Sequence, residues 1–548
     1  MLLFHKKNKI VLAVLMAFML CLSGCSVVNG SDPDIESGTE NNAMRYLRIA
    51  NEEPDTADPQ CTDYYYAIPL NVFDRLVEVQ VDSDGTRSFI PSLADSWEVS
   101  DDGLVYIFHL HSGVKFSNGS PLTSSDVEYT LIRAITHPGS HAGDIGEFIM
   151  GAQELMDGKT DKLEGFSAQS DLDFSITLSV PYTAFLAMLS TPAYSILDEE
   201  STEAAGDSFG TNPVATIGTG PFLFKKWDAG DEIILDANPN CWAGAPGCGG
   251  ISMQFVQDAE ARRIMYEEGE LDILDLENMG EAAEFIYHGD IYENQLVYGN
   301  RVGLTYIALN ESVEPLGDVR VRQALQLALD RDAILMCIYS GRGYVENGIY
   351  PHGLAGHDET LPEIPYDPQT AAELLKEAGY PDGFDLELSV DDESSYYSRE
   401  ILELAADMWK KIGVRATIKT IDEDSFLEQR KNGQLACYTR RFSVDYDDPD
   451  AIIYVFFGSK ENAHSNSLCY DREDIMNRVA DACCIVNEEK RIREYRELER
   501  IIVQEDCAWI PLFSNRHYFA VNERVRNFQV PWNGWSDIRY DKIMVEAG

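Results

Sequence analysis

Positive charge is scarce in this chain: 43 lysines and arginines stand against 93 aspartates and glutamates, a formal net charge of −50 over 548 residues. Such a surface repels phosphate backbones and anionic headgroups, which excludes nucleic acid as a partner and excludes charge alone as a hold on a membrane. The acidic residues are spread along the whole sequence, and their plain meaning is solubility. Long apolar runs are lacking too. The candidate, Ile10 to Leu22, has thirteen residues; at ~1.5 Å each it covers roughly 20 Å, short of the ~30 Å of a membrane core. No Cys-x-x-Cys doublet occurs and the ten histidines are scattered, so neither a metal nor a cofactor is expected. A nucleophile elbow and a His-Glu-x-x-His helix are not expected either, which argues against an enzyme.

What is present begins with an address. Lys6, Lys7 and Lys9 precede the short apolar run, and small residues follow it up to Cys25, the pattern of a secretory signal peptide over residues 1–24. Leu22-Ser23-Gly24-Cys25 resembles a lipoprotein box. That resemblance implies that Cys25 becomes the mature N-terminus, carries a diacylglyceryl anchor and ties the protein to the outer face of the cell membrane, or to a membrane facing the periplasm. Residues 25–43 are polar and nearly free of large apolar groups, the composition of a disordered tether. About 524 residues remain after the leader, more than one hydrophobic core holds, so two or three domains are expected. Eleven cysteines less Cys21 and Cys25 leave nine, and an odd number outside the cytoplasm means at least one free thiol. Cys241 with Cys248, or Cys469 with Cys483 or Cys484, are the pairs that spacing permits, and spacing decides neither.

Periodicity and turn residues outline an α/β chain. Arg45 to Asn51 reads as a strand, and the tyrosines at 64–66 open a loop entering a helix. Val105 to Leu110 alternates as a strand between turns at Asp102-Gly103 and Asn118-Gly119, and Thr123 or Ser124 caps the next helix. Helices are predicted over Asp258 to Gly269, Asp318 to Ser340, Asp367 to Gly379 and Asn487 to Gln504. Strand Asp385 to Val390, helix Ser398 to Ile412 and strand Val414 to Thr420 make a βαβ unit. Gly218-Thr219-Gly220 has no helix start behind it, so it is no phosphate cradle.

The stretch Tyr438 to Gly458 carries the chemistry. Asp445, Asp447, Asp448 and Asp450 fall within six positions between two apolar runs. Asp and Pro also make ordinary solvated turns, but carboxylates held at the edge of a core are built to meet a cation.

The wording around these features resembles the family 5 extracellular solute-binding proteins of ABC importers. Leu93-Ala94, Trp97, Asp102-Gly103, Tyr106, Phe108, Leu110, Gly113-Val114, Phe116, Gly119 and Asp126-Val127 match its signature segment. Further phrases follow in register at Gly218 to Phe222, Asn238-Pro239 with Trp242, Val319 to Arg331, and Asp367 to Tyr380. The resemblance implies a two-lobed, three-domain periplasmic-binding-protein-like fold with the ligand cleft between the lobes. Domain I would comprise 44–71, 206–311 and 508–548, domain II 72–205 and domain III 312–507. By the same resemblance, the protein captures peptides outside the cytoplasm and delivers them to a membrane permease and its ATPase subunits, as a monomer. Nickel chelates, haem, oligosaccharides or opines are the alternative ligands. Asp445 stands where the family's aspartate takes the peptide α-ammonium, beside Tyr446. Upstream the family usually reads Gly-Trp where this chain has Arg441-Phe442. Phe442 would keep an apolar wall, backbone near Ser443 and Tyr306 would pair with the peptide, and Arg440 or Arg441 would meet its carboxylate; Tyr65 completes the candidate set. The family pattern turns Tyr106, Phe108 and Leu110 inward, which leaves His109 and His111 facing solvent.

Replacing Cys25 by alanine removes the thiol on which both anchor and cleavage depend. The variant is expected in the soluble fraction or as an uncleaved precursor, as read by detergent partitioning; undiminished lipid labelling would end the lipoprotein reading.

Overall fold

A computed structural model of the chain describes residues 45–546, apart from 63–64, 82–86, 278, 290–291 and 393–396. The leader, Cys25, the tether and Tyr64 lie outside the described residues. No helix among the described residues is long and apolar enough to cross a membrane.

The alternation in Val105–Leu110 works as predicted. Tyr106, Phe108 and Leu110 are buried while the residues between them are half-buried, because successive strand side chains face opposite sides. This strand lies second in a four-stranded sheet, between Ala94–Val99 and Asp173–Thr177, with Phe166–Ala168 at the far edge. Phe108, Phe174 and Phe166 stack across it at 5.3 and 5.2 Å. Helix Ser124–Thr136 starts on a reciprocal capping box between Thr123 and Asp126, which satisfies two otherwise orphaned backbone donors. The buried members of this core run from Leu76 to Ile196, with Cys483 added from afar. His109 pairs with Asp173 at 2.6 Å and His111 lies 3.5 Å from Asp95.

The large sheet is organised by one long strand, Trp509–Val521. Its first half pairs with Gly303–Leu309 and Gly343–Val345, and its second half with Leu296–Asn300 and Ile273–Asp275. Beyond Gly303–Leu309 the order continues through Cys437–Ser443 and Asp385–Asp391 to Arg415–Ile421. On the other side, Ile273–Asp275 is followed by Tyr46–Asn51, Gly250–Phe255, Glu232–Ala237 and Phe222–Asp228. Gly303–Leu309 is buried at every position, as a strand covered on both faces must be. The βαβ unit is present, its strands Asp385–Asp391 and Arg415–Ile421 parallel and joined through helix Ser398–Trp409.

One expectation changes, and two points that the sequence left open are decided. The predicted helix from Asp318 to Ser340 is two helices, Val319–Leu327 and Arg331–Tyr339. Asp330 breaks it: its side chain accepts the Ala333 N–H, the local bond by which an aspartate starts a helix instead of continuing one. The apolar run after the carboxylates is a helix, Asp450–Phe457. All nine described cysteines are free, Cys241 and Cys248 included.

Trp509 is fully buried, its ring 4.4 Å from Tyr306, 4.8 Å from Phe456 and 5.6 Å from Phe457. Trp509→Ala is expected to cost ~3–5 kcal/mol, the usual toll of an aromatic cavity. Urea unfolding measures it; a loss below about 1 kcal/mol would show that this cluster does not hold the sheet together.

Candidate functional site

Strand Cys437–Ser443 delivers the chain into the carboxylate loop, and helix Asp450–Phe457 takes it away. The four aspartates meet four different fates. Asp447 pairs with Arg87 and accepts the Ala355 N–H at 2.9 Å. Asp448, buried, takes both arms of Arg491, each at 2.8 Å, and also accepts the Asp450 N–H at 2.9 Å. Asp450, buried, accepts the hydroxyls of Tyr495 at 2.9 Å and Tyr182 at 3.1 Å. Burial first and Asp448 second push its carboxyl up to about 7.

Asp445 is different. Among the described residues it has no hydrogen-bonding or ion-pairing partner, and water reaches its side chain. The protein nonetheless crowds around it: desolvation, then the charge of Asp144, push its carboxyl up to about 6. Asp144 is itself exposed and accepts the Tyr194 hydroxyl at 2.7 Å. Two water-exposed carboxylates therefore act on each other, and among the described residues no cation pairs with Asp445, which is costly until one arrives.

The other candidates are placed as follows. Tyr446 points its hydroxyl at that of Tyr182, 3.0 Å away. Phe442 is half-buried with its ring 5.1 Å from Phe456, and Ser443 sits at the strand end opposite Gly303. Arg441 is occupied by a carboxylate of the chain itself, Glu277, at 2.6 Å in a buried pair. Burial would raise Glu277, but Arg301, Arg441 and His517 hold it well below the usual carboxylate range. Arg440 likewise pairs with Asp391 at 2.8 Å and lies over the Phe426 ring. Both arginines thus already hold a carboxylate of the chain itself. Tyr306 is corrected: its ring is buried beside Trp509, and its backbone is paired on both sides, to Arg440 and to Pro511, so it has no edge to offer a peptide. Tyr65 gives its hydroxyl to Glu52 at 2.7 Å and lines a small separate pocket with Ile68 and Met253.

A cavity of about 590 Å³ adjoins the loop on its Asp447 side, walled by Arg87, Phe89, Leu354, Asp447, Arg491 and their neighbours. Asp445 lies outside that lining, so the unpaired carboxylate and the roomy cavity are separate faces of one loop. The reading from sequence missed Arg87, Tyr182 and Arg491, which carry no local signal, and Asp144, whose acidity alone does not distinguish it. It also passed over Gly206-Asp207-Ser208-Phe209-Gly210, which spells Gly-x-Ser-x-Gly. That string follows helix Glu199–Ala205 as a tight turn, and Ser208 gives its hydroxyl to the Ala205 carbonyl at 2.8 Å; it is not the strand-to-helix elbow a nucleophile needs.

Residues 88–464 match the family described as bacterial extracellular solute-binding proteins, family 5 Middle. The chain is 29% identical over 484 residues to heme-binding protein A of Haemophilus influenzae, covering 85% of each. It is 28% identical over 489 residues to the dipeptide-binding protein of Escherichia coli, covering 85% of this chain and 88% of that one. Its fold matches the structure of HbpA2 from Haemophilus parasuis with a TM-score of 0.77 at 26% identity, over 92% of this chain and 100% of the other.

The contrast between the loop carboxylates is testable by stability alone. Asp448→Asn strands the Arg491 guanidinium in the interior and is expected to cost ~3–5 kcal/mol. Asp445→Asn removes a carboxylate that is unpaired among the described residues and should cost nothing. Denaturant unfolding of the two variants checks it; equal losses would place Asp445 in the structural scaffold.

Proposed function

The chain belongs to the bacterial extracellular solute-binding proteins of family 5, and from that premise we propose that it captures peptides between its lobes with their α-ammonium on Asp445. One observation carries this reading: of four clustered carboxylates, Asp445 alone is unpartnered among the described residues, and it feels the negative charge of Asp144. A peptide ammonium supplies the missing cation through a charge-assisted hydrogen bond. Strand Cys437–Ser443 adds support. Beyond Tyr438, among the described residues, it pairs with a strand on one side only, and an open edge is what an extended peptide adds to. Haem is the weaker ligand here. Among the described residues, the 590 Å³ cavity is lined by no histidine, methionine, cysteine or tyrosine to ligate its iron.

The division into three domains is supported by the hydrophobic clusters, one running from Leu76 to Ile196 and two from Val302 to Phe513, with the others drawn from both ends and the middle of the chain. Strand Gly303–Leu309, assigned above to the first domain, buries its side chains with the third. On this reading the protein is a monomer held at the membrane by a lipid on Cys25. It binds without catalysis, closes on its ligand and presents the closed form to a permease whose ATPase subunits act in trans.

The ammonium contact is expected to be worth about 1.5–3 kcal/mol, so Asp445→Asn should weaken free peptides about ten- to a hundredfold. N-acetylated peptides should bind the wild type weakly and lose little more in the variant, since two changes to one contact do not add. Acidity gives a second arm. A bound cation lowers the Asp445 carboxyl below its free value of about 6, so affinity is full above that pH and falls as pH drops through it, by up to about tenfold per unit. Calorimetry on the four protein–peptide combinations decides the matter: additive losses, or indifference to acetylation, would reject Asp445 as the amine receptor.

A further inference from the structure

On the far side of the loop that walls the cleft cavity lies a second cavity of about 270 Å³, polar, and lined by Glu346, Asn347, His352, His357 and Glu499 among others. Glu346 follows strand Gly343–Val345, is almost wholly buried, and is steadied at Oε1 by the Ser514 hydroxyl and by the His352 N–H at 2.9 Å. The His352 Nδ1 lies 3.0 and 3.2 Å from its two oxygens. The His352 ring is clamped against Tyr344 at 4.2 Å and meets the His357 ring at 4.1 Å. His357 places its Nδ1 2.7 Å from the Tyr350 carbonyl. A carbonyl only accepts, so that nitrogen carries the proton and the Nε2 lone pair is left free, the arrangement that orients a metal-binding imidazole.

Internal hydrogen bonding alone would account for each histidine singly. It does not account for the fourth group. Glu499, fully buried on helix Glu488–Arg500, lines the same cavity; its Oε1 accepts the N–H groups of Ile349 at 2.6 Å and Tyr350 at 2.9 Å, while its Oε2 has no hydrogen-bond partner. An unsatisfied carboxylate oxygen inside a protein is expensive, and in the same cavity two imidazoles gather near a second buried carboxylate.

We propose that Glu346, His352 and His357 form a binding site for one divalent transition ion of the zinc class, with Glu499 or a water molecule completing the coordination. Two histidines and one carboxylate are a common zinc set, and the His-x₄-His spacing falls within the usual range. The donor atoms already lie within 4.8 Å of one another. Ligands at ~2.0–2.1 Å from a tetrahedral ion stand roughly 3.3 Å apart, so closing the set draws the donors together by up to roughly 1.5 Å. The consequence reaches the cleft: Gly353, Leu354 and Ala355, between the two histidines, wall the 590 Å³ cavity, and the Ala355 N–H binds Asp447. An ion on the histidines pins that wall from behind. The assignment does not depend on what the cleft binds.

The test titrates chelator-stripped protein with zinc chloride in a calorimeter, repeats it for His352→Ala and His357→Ala, and records the absorption of the cobalt(II) form. Binding of one zinc per chain is expected, weakened about a hundredfold or more in either variant, with a tetrahedral cobalt spectrum free of thiolate charge transfer and with the metal-free melting temperature unchanged. Asp231→Asn, in the exposed trio Asp228, Asp231 and Glu232, should leave the affinity as it is. No stoichiometric uptake by the wild type, or uptake that survives both histidine variants or carries a thiolate band from the free cysteines, would overturn the proposal.

Discussion

A carboxylate withdrawn from water has to be given a cation or a set of donors, and the loop from Asp445 to Asp450 is built on that constraint. Three of its aspartates are satisfied by groups from elsewhere in the chain: Arg87, Arg491, and the hydroxyls of Tyr182 and Tyr495. Each of those bonds also places an element. Arg87 and Tyr182 come from the part of the chain that builds the four-stranded sheet, so the charges that settle the loop also tie that part to the large sheet. The remaining aspartate is held in position by its paired neighbours, which is how a rigid surrounding keeps one charge ready at little entropic cost when a ligand binds.

The loop can be held this firmly because of what lies beneath it. Strand Gly303–Leu309 is paired on both sides, and the strand Trp509–Val521 runs the length of both halves of the large sheet. Tyr306, Phe456 and Trp509 close the space between sheet and helix. The same packing removes Tyr306 from any ligand role, since a residue that fills the core cannot also line a cleft.

Arg441 teaches a related lesson. A cation beside a candidate binding loop invites assignment to a ligand carboxylate, yet Glu277 takes it, 164 positions away in the sequence. In a chain this acidic every arginine near the interior is in demand, and burial favours the internal partner because an unpaired ion there would cost several kcal/mol. Glu346, His352 and His357 show the reverse case. They lie within one short stretch, but no local rule separates them from the other scattered histidines; their convergence depends on the turn of the chain around Tyr350, which Glu499 of helix Glu488–Arg500 holds by accepting the Ile349 and Tyr350 N–H groups.

By itself the sequence determined the alternation of Val105–Leu110, the capped starts of helices such as Ser124–Thr136 and Pro368–Glu377, the parallel βαβ unit, and the position of the carboxylate loop. These rest on side-chain periodicity and on hydrogen bonds between residues a few positions apart, which neighbours in sequence suffice to set. Its family phrases carried the fold class for the same reason, being mostly turn and core residues. Only the tertiary structure decided which aspartate stays unpaired, which arginines are occupied, and that Asp330 divides one apolar stretch into two helices. Those outcomes turn on desolvation and on partners brought from as far as 360 positions away, as Arg87 is to Asp447, and no local pattern records where a distant charge will come to rest.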